Sequence, residues 1–265
     1  MKNSKSLLKK YYMKIRLILP ICNNSYNKWW HCKNAFLNKR NRLNILQKAM
    51  CFKSNDIDLV VTSNNFFGLN DKSEIRLKGL INSLKCKKDL IIGVDFPKRT
   101  NPFDGICAKV FYFQQKNKQY ILRQSIWEVY HSSIKKNNKT LDNFKKQSRT
   151  IKVKNKSITL LSCGDILKDI HQGKKGLSNT NIYISLAHID FKNYLINYKQ
   201  HISNIQNWMG SNKIVLVTQQ LSDDKLNNGN FFSKSKKYKL IYPKDLFLSQ
   251  NIYFFKNYIF IDIKI

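Results

Sequence analysis

The chain has 265 residues, 42% of them hydrophobic, with only 4 prolines and 9 glycines, which suits one globular domain with a substantial core and excludes a linker-rich or disordered protein. Forty-eight Lys and Arg against 16 Asp and Glu give a formal charge of +32, a surface expected to attract polyanions and to bind nucleic acid non-specifically at low salt. The only long apolar stretches fall short of the ~20 residues a membrane span needs, so a soluble protein is expected.

In chain order, Lys2 to Lys10 forms a basic N-terminal extension (residues 1–12), and a single domain is expected over 13–265. Met13 to Leu19 reads as a first strand, Arg42 to Phe52 as a helix, and Ile57 to Val61 as a second strand. Lys72 to Lys85 reads as a helix with Ile75, Leu77, Leu80, Ile81 and Leu84 on one face, and Leu90 to Asp95 as the next strand. Ile106–Gln114 and Gln119–Tyr130 pair as a hairpin around Lys116, Asn117 and Lys118. The segment Ser133 to Lys156 is polar and lysine-rich.

The run from Ile158 to Ile166 is the most informative in the chain. An apolar strand ends at Cys163, and Gly164 and Asp165 follow. A thiol at the end of a buried strand is either a core cysteine or a nucleophile placed where the backbone turns. Asp165 to Gln172 then reads as a short helix, Ile182 to Leu186 as a strand, Phe191 to Trp208 as a helix and Ile214 to Thr218 as a strand; the tail from Tyr238 supplies closing strands. Helices alternating with strands predict a mixed α/β domain.

The six cysteines show neither CxxC nor metal-ligand spacing, so they read as reduced thiols of a cytoplasmic protein, and no metal or other cofactor is expected.

Several motifs, taken in order, resemble the nitrilase (carbon–nitrogen hydrolase) superfamily. Asp58 to Leu69 is similar to the strand that carries the family's glutamate, and Leu90 to Val94 to the strand after it. Tyr120 to Trp127 stands where the lysine motif belongs, Arg149 to Val153 and Ser157 to Asp165 resemble the nucleophile region, and Ile184 to His188 matches the next strand. The resemblance implies a four-layer α-β-β-α sandwich, homodimerisation and cysteine-dependent hydrolysis of a small amide or nitrile. That chemistry uses a thiolate nucleophile, a carboxylate that carries the proton, and a cation for the oxyanion.

Carried over residue by residue, the resemblance makes Cys163 the nucleophile. The glutamate position falls on Asn64, whose amide accepts no proton. The lysine position falls on Arg123 or Gln124; Arg123 would favour the thiolate and donate to an oxyanion, whereas Gln124 would only donate weakly. Glu128 corresponds either to a second, positioning glutamate, which could serve as a relocated base, or to an exposed partner for nearby lysines. Asp165 matches the family's common acid and would also cap the helix that starts at Ile166. His188 lines the pocket or is a hydrogen-bonded structural histidine.

The alternative function is a catalytically lapsed sandwich that binds or assembles on nucleic acid or nucleoprotein, conceivably in antiviral defence. Lys135, Lys136, Lys145 and Lys146 would then form the contact surface, with Lys234, Lys236, Lys237 and Lys239 as a second cluster. No helix-turn-helix, zinc or RNA-binding signature accompanies them, so specific recognition has no support.

Overall fold

The computed structural model describes residues 12–22, 39–53, 55–64, 66–68, 73–96, 107–128, 148–162, 165, 180–186, 214–218, 221–222, 240–241, 250–255 and 258–265. Residues 1–11 of the expected N-terminal extension, all of the helix expected over 165–172 except Asp165, the helix expected over 191–208, His188 and both lysine clusters lie outside these residues.

Two sheets make the frame. Strands β1 (Lys14–Cys22), β2 (Leu59–Val61), β3 (Phe67–Gly68), β4 (Asp89–Phe96), β5 (Cys107–Lys116), β6 (Gln119–Trp127), β11 (Leu221–Ser222), β13 (Gln250–Phe255) and β14 (Tyr258–Lys264) form the first. Its order is β13-β14-β1-β2-β4-β5-β6, with β11 beside β1 and β3 beside β4. The second, ordered β12-β10-β9-β8-β7, contains β7 (Thr150–Val153), β8 (Lys156–Ser162), β9 (Ile182–Leu186), β10 (Ile214–Thr218) and β12 (Leu240–Ile241). The central strands β1, β2 and β4 run parallel, as do β8, β9 and β10.

Alternation along each strand explains the layers. Leu17, Leu59, Val61 and Ile91 meet Ile158, Leu160, Ile184 and Leu216 in the core between the sheets. Their neighbours Ile18, Val60, Leu90 and Ile92 point the other way and pack under the helices. A sheet covered on both faces is apolar throughout its central strands, and Leu59-Val60-Val61 is buried at every position.

Helix α1 (Lys39–Cys51) buries Ile45, Leu46, Ala49 and Met50, one stripe at helical spacing. It gives way to Lys53, whose φ of 42° is the left-handed conformation common at helix C-termini. Helix α2 (Ser73–Asn82) buries Leu77 and Ile81, with Leu84 just beyond. The expected face is narrower than the sequence suggested: Ile75 is 83% exposed because it falls off the stripe that Leu77, Ile81 and Leu84 share. The β5–β6 hairpin turns as expected, with Asn117 and Lys118 at φ 50° and 60°; two left-handed residues match the twist of the flanking strands. Strand β7, read from the sequence as part of a polar segment, pairs antiparallel with β8 through a turn at Lys154.

Arg16 on β1 and Asp262 on β14 are direct cross-strand partners and both are buried. The guanidinium is bidentate on the carboxylate, with Nε–Oδ1 and Nη2–Oδ2 each 2.6 Å. Its Nη1 donates to the carbonyls of Ala49, at 2.7 Å, and Phe52, satisfying acceptors at the C-terminal end of α1 that the helix leaves unpaired. Phe260, Phe52 and Tyr253 surround the cation at 5.3–5.9 Å.

The cysteines differ from the expectation of reduced thiols. Cys51, at the end of α1, is bonded to Cys86, in the segment leading into β4, with a Cα–Cα separation of 5.7 Å. The sequence offers no sign of this because the partners lie 35 residues apart and meet only when α1 packs beside that segment.

Two outcomes follow for stability. Asp262→Asn or Arg16→Met leaves an uncompensated buried charge or acceptor and should cost about 3–5 kcal/mol in chemical unfolding, with the double variant Arg16→Met/Asp262→Leu recovering part of it. Reduction of Cys51–Cys86 opens a loop whose closure is worth about 3–4 kcal/mol in the chain-entropy account, so dithiothreitol should lower the unfolding midpoint of the wild type and leave Cys51→Ser unchanged.

Candidate active site

The parallel strands of both sheets end on the same side of the molecule, and polar side chains gather there. In open α/β sheets the carboxyl ends of strands are where ligands bind. Asn64 lies just past β2 and is fully buried; its Nδ2 donates to Ser162 Oγ, the last residue of β8, at 3.1 Å. Thr218, at the end of β10, donates from Oγ1 to the carbonyl of Thr62 at 2.9 Å. These two bonds cross from one sheet to the other and fix the relative placement of their ends.

Asn64 is held against β4 by a missing side chain. A Cβ on Gly93 would fall 2.5 Å from Asn64 Cα and from the Ser63 carbonyl, and 2.8 Å from Asn64 Oδ1. Gly93 N donates to the side-chain Oγ1 of Thr62 at 3.1 Å, a bond that holds the two segments at this close approach. Ser63 Oγ and Asn64 Oδ1 are buried and have no hydrogen-bond partner among the described residues.

Asp165 is buried and already helical. Its Oδ2 reaches back to accept from Ser162 N at 3.0 Å, and Arg149 Nη1 donates to the same oxygen at 2.7 Å. The expected capping role is therefore altered: the carboxylate serves an amide three residues before it, in the manner of the reciprocal half of a capping box. Arg149, also buried, places Nη2 3.0 Å from the carbonyl of Trp127, the last residue of β6.

Glu128 follows Trp127. Its N donates to the Ala108 carbonyl at 2.9 Å, continuing the β5–β6 ladder by one residue. Alternation from Ile126, which lies in the inter-sheet core, puts Glu128 on the same side. It is fully buried, which overturns the reading of Glu128 as an exposed partner for lysines.

The residues at the lysine position are placed differently. Arg123 is the extra residue of a bulge where Phe113 faces Leu122 and Tyr112 faces Gln124. It is exposed, and its Nε donates to Gln114 Oε1 at 2.8 Å. Gln124 donates through Nε2 to the carbonyl of Ser148. Arg123 is thus directed to solvent rather than toward Asn64, because a bulge exchanges the faces that simple alternation would assign. Cys163 and His188 lie outside the described residues; Ser162 and Asp165 bracket Cys163 in the chain. Arg149 was passed over as a site residue in the sequence because an arginine in a lysine-rich stretch carries no sign of burial.

Gly93→Ala should cost about 1–3 kcal/mol as backbone and Asn64 are forced apart. Gly79→Ala on exposed α2, where an added Cβ meets nothing within 4 Å, should instead stabilise slightly. Thermal unfolding of both variants reads the contrast.

No family profile and no curated protein matches the sequence. Solved structures do match. Saccharomyces cerevisiae Nit3, a member of branch 10 of the nitrilase superfamily, aligns with 95% of this chain and 90% of its own, at 14% identity and TM-score 0.52. A carbon–nitrogen hydrolase from Helicobacter pylori G27 aligns over 88% and 80%, at 12% identity and TM-score 0.52. A cysteine-to-serine mutant of the Nesterenkonia AN1 amidase from the nitrilase superfamily aligns over 78% and 77%, at 12% identity and TM-score 0.50. Two stacked sheets, helices over the first, and polar residues gathered at their shared strand ends give this chain the fold of the nitrilase superfamily.

Proposed function

We propose that the chain is a carbon–nitrogen hydrolase that hydrolyses a small amide or nitrile through Cys163, with Glu128 carrying the proton. The observation that supports this reading is the burial of Glu128, which follows Trp127, whose carbonyl Arg149 ties to Asp165. Asn64 cannot accept a proton. Asp165 is engaged by Arg149 and by Ser162 N. Glu128 is a buried carboxylate whose chemistry allows it to accept and return a proton.

The steps balance with one thiol and one carboxylate. The Cys163 thiol gives its proton to Glu128, and the sulfur attacks the amide carbon. The tetrahedral intermediate breaks its C–N bond as Glu128 returns the proton to the departing nitrogen, leaving a thioester. Glu128 then takes a proton from water as the water oxygen attacks the thioester carbon. The C–S bond breaks, the acid leaves, and the proton returns to sulfur.

Asn64 contributes shape and a neutral hydrogen bond to Ser162. Restoring a glutamate there adds a methylene where Gly93 already has no room for a Cβ. Asn64→Glu is accordingly expected to lower stability without raising turnover.

The test is hydrolysis of a panel of short aliphatic amides and nitriles. Cys163→Ala should be inactive, and Glu128→Gln should lose about 100- to 10,000-fold in kcat. Wild-type turnover in Glu128→Gln, lost only in Cys163→Ala, would remove Glu128 as the base. No turnover in the wild type is the outcome expected of a lapsed sandwich that acts through its basic surface.

A further inference from the structure

The Cys51–Cys86 bond has no part in the strand-end site, and it is set where solvent reaches it. Cys51 is exposed and Cys86 half-buried, although Ala49, Met50 and Leu84 beside them are buried. Access decides which sulfur of a disulfide a thiolate attacks, and here it favours Cys51. The surroundings are cationic. Lys48 and Lys53 lie on either side of Cys51 in the chain, and both are held over aromatic rings: Lys48 Nζ is 4.0 Å from the Phe255 centroid and Lys53 Nζ 5.2 Å from that of Tyr253. Lys85 and Lys87 bracket Cys86, and Lys88 follows. The described carboxylates nearest in sequence are turned to other partners, Asp56 to Lys14 Nζ at 3.0 Å and Asp89 to Gln115 N and Tyr112 Oη, each at 2.9 Å. Such a run of lysines favours a leaving thiolate and draws in a negatively charged reagent.

Gln47, one turn before Cys51 on α1, spans the junction. Its Nε2 donates to Cys51 Sγ at 2.8 Å while its Oε1 accepts from Lys85 N at 2.6 Å. A donor on sulfur stabilises the thiolate that forms when the bond opens. The Gln47–Lys85 bond and the buried cluster of Met50, Ile81 and Leu84 hold α1 beside the Cys86 segment without the covalent link. We propose that Cys51–Cys86 is an exchange site for small anionic thiols, with Cys51 the residue that carries the adduct. The incoming thiolate attacks Cys51 Sγ, the S–S bond breaks, and Cys86 leaves as a thiolate that takes a proton from water. Cys51 then holds the reagent as a mixed disulfide. In the forward direction a second thiolate attacks the reagent's sulfur, the reagent departs as its own disulfide, and Cys51 is released as a thiolate under the Gln47 amide. In the reverse direction Cys86 attacks Cys51 Sγ and expels the reagent, restoring the bond. The forward cycle oxidises two small thiols and reduces one protein disulfide, and none of it depends on the hydrolase reading.

The experiment treats the oxidised full-length protein with glutathione, which is anionic beyond its thiolate, or with 2-mercaptoethanol, which is not, and maps the adducts by peptide mass. At equal thiolate concentration and low salt, glutathione should react about fivefold faster, and its advantage should fall below about twofold at high salt. Cys86→Ser treated with oxidised glutathione should hold the tripeptide on Cys51. Cys51→Ser should label at Cys86 at least about tenfold more slowly, because that sulfur is less accessible. Lys85→Gln/Lys88→Gln keeps the backbone N–H groups and should cut the glutathione advantage by about half. Lys152→Gln/Lys156→Gln, on the second sheet, should leave it nearly unchanged.

A disulfide that only staples the fold predicts something different: exchange that waits for unfolding, negligible in the native protein and rising steeply with urea below the transition. That result overturns the proposal, as does an adduct that forms on Cys86 in preference to Cys51. An equal loss of the glutathione advantage from both lysine pairs overturns the anionic preference as a property of this site. Should Cys86→Ser fail to fold, acid quenching of the wild-type reaction traps the mixed disulfide, and its position decides the matter. Exchange at a rate independent of low urea, with the adduct on Cys51, upholds the proposal.

Discussion

The first sheet depends on an ion pair that water cannot reach. Taking a guanidinium and a carboxylate out of water carries a penalty of several kcal/mol per ion, which attraction offsets only when every donor finds an acceptor. Arg16 meets that condition through Asp262, Ala49 and Phe52. The pair joins strands from opposite ends of the chain and seats a helix at the same time. A hydrophobic pair at these positions would pack β1 on β14, but it would leave the carbonyls at the end of α1 unsatisfied.

The strand-end cluster works on a different principle. Hydrogen bonds there are few and each spans two elements, so the cluster is rigid without being strongly charged: Asn64 to Ser162, Thr218 to Thr62, Arg149 to Asp165 and Trp127. Neutral Asn64 avoids burying a further charge there, although its Oδ1 finds no partner among the described residues. Because an amide at Asn64 takes no proton, the proposed reading assigns proton transfer to buried Glu128.

Much of the frame was legible in the sequence. Strands that are almost wholly apolar, such as Ile182–Leu186 and Ile214–Thr218, announce themselves because burial on two faces leaves room for only one small polar residue in each, Ser185 and Thr218. The hairpin at Asn117 was equally plain, since a turn between two apolar runs is a local feature. What the sequence withheld was long-range. Arg123 reads as the site's cation until the bulge turns it outward. Glu128 and Arg149 look like ordinary surface charges, and only the sheet that folds over them makes them interior. Cys51 and Cys86 read as unrelated thiols for the same reason. Ile75 shows the converse error, an apolar residue assigned inward by type and placed outward by helical phase.

The pairing of β1 with β14 also sets an order of events in biogenesis. β1 leaves the ribosome well before its antiparallel neighbour, Tyr258–Lys264, and Arg16 waits 246 residues for its carboxylate. Until then the described partners of β1 are β2 and, once it is made, β11, and the edge that β14 will cover is open to any extended strand that reaches it. Long-range closure of this kind slows folding and prolongs exposure to wrong partners. In the nascent chain a charged Arg16 in the middle of an apolar strand acts as a gatekeeper, resisting burial in an intermolecular sheet until Asp262 arrives. The residue that completes the native sheet is therefore also the one that protects it while it is unfinished.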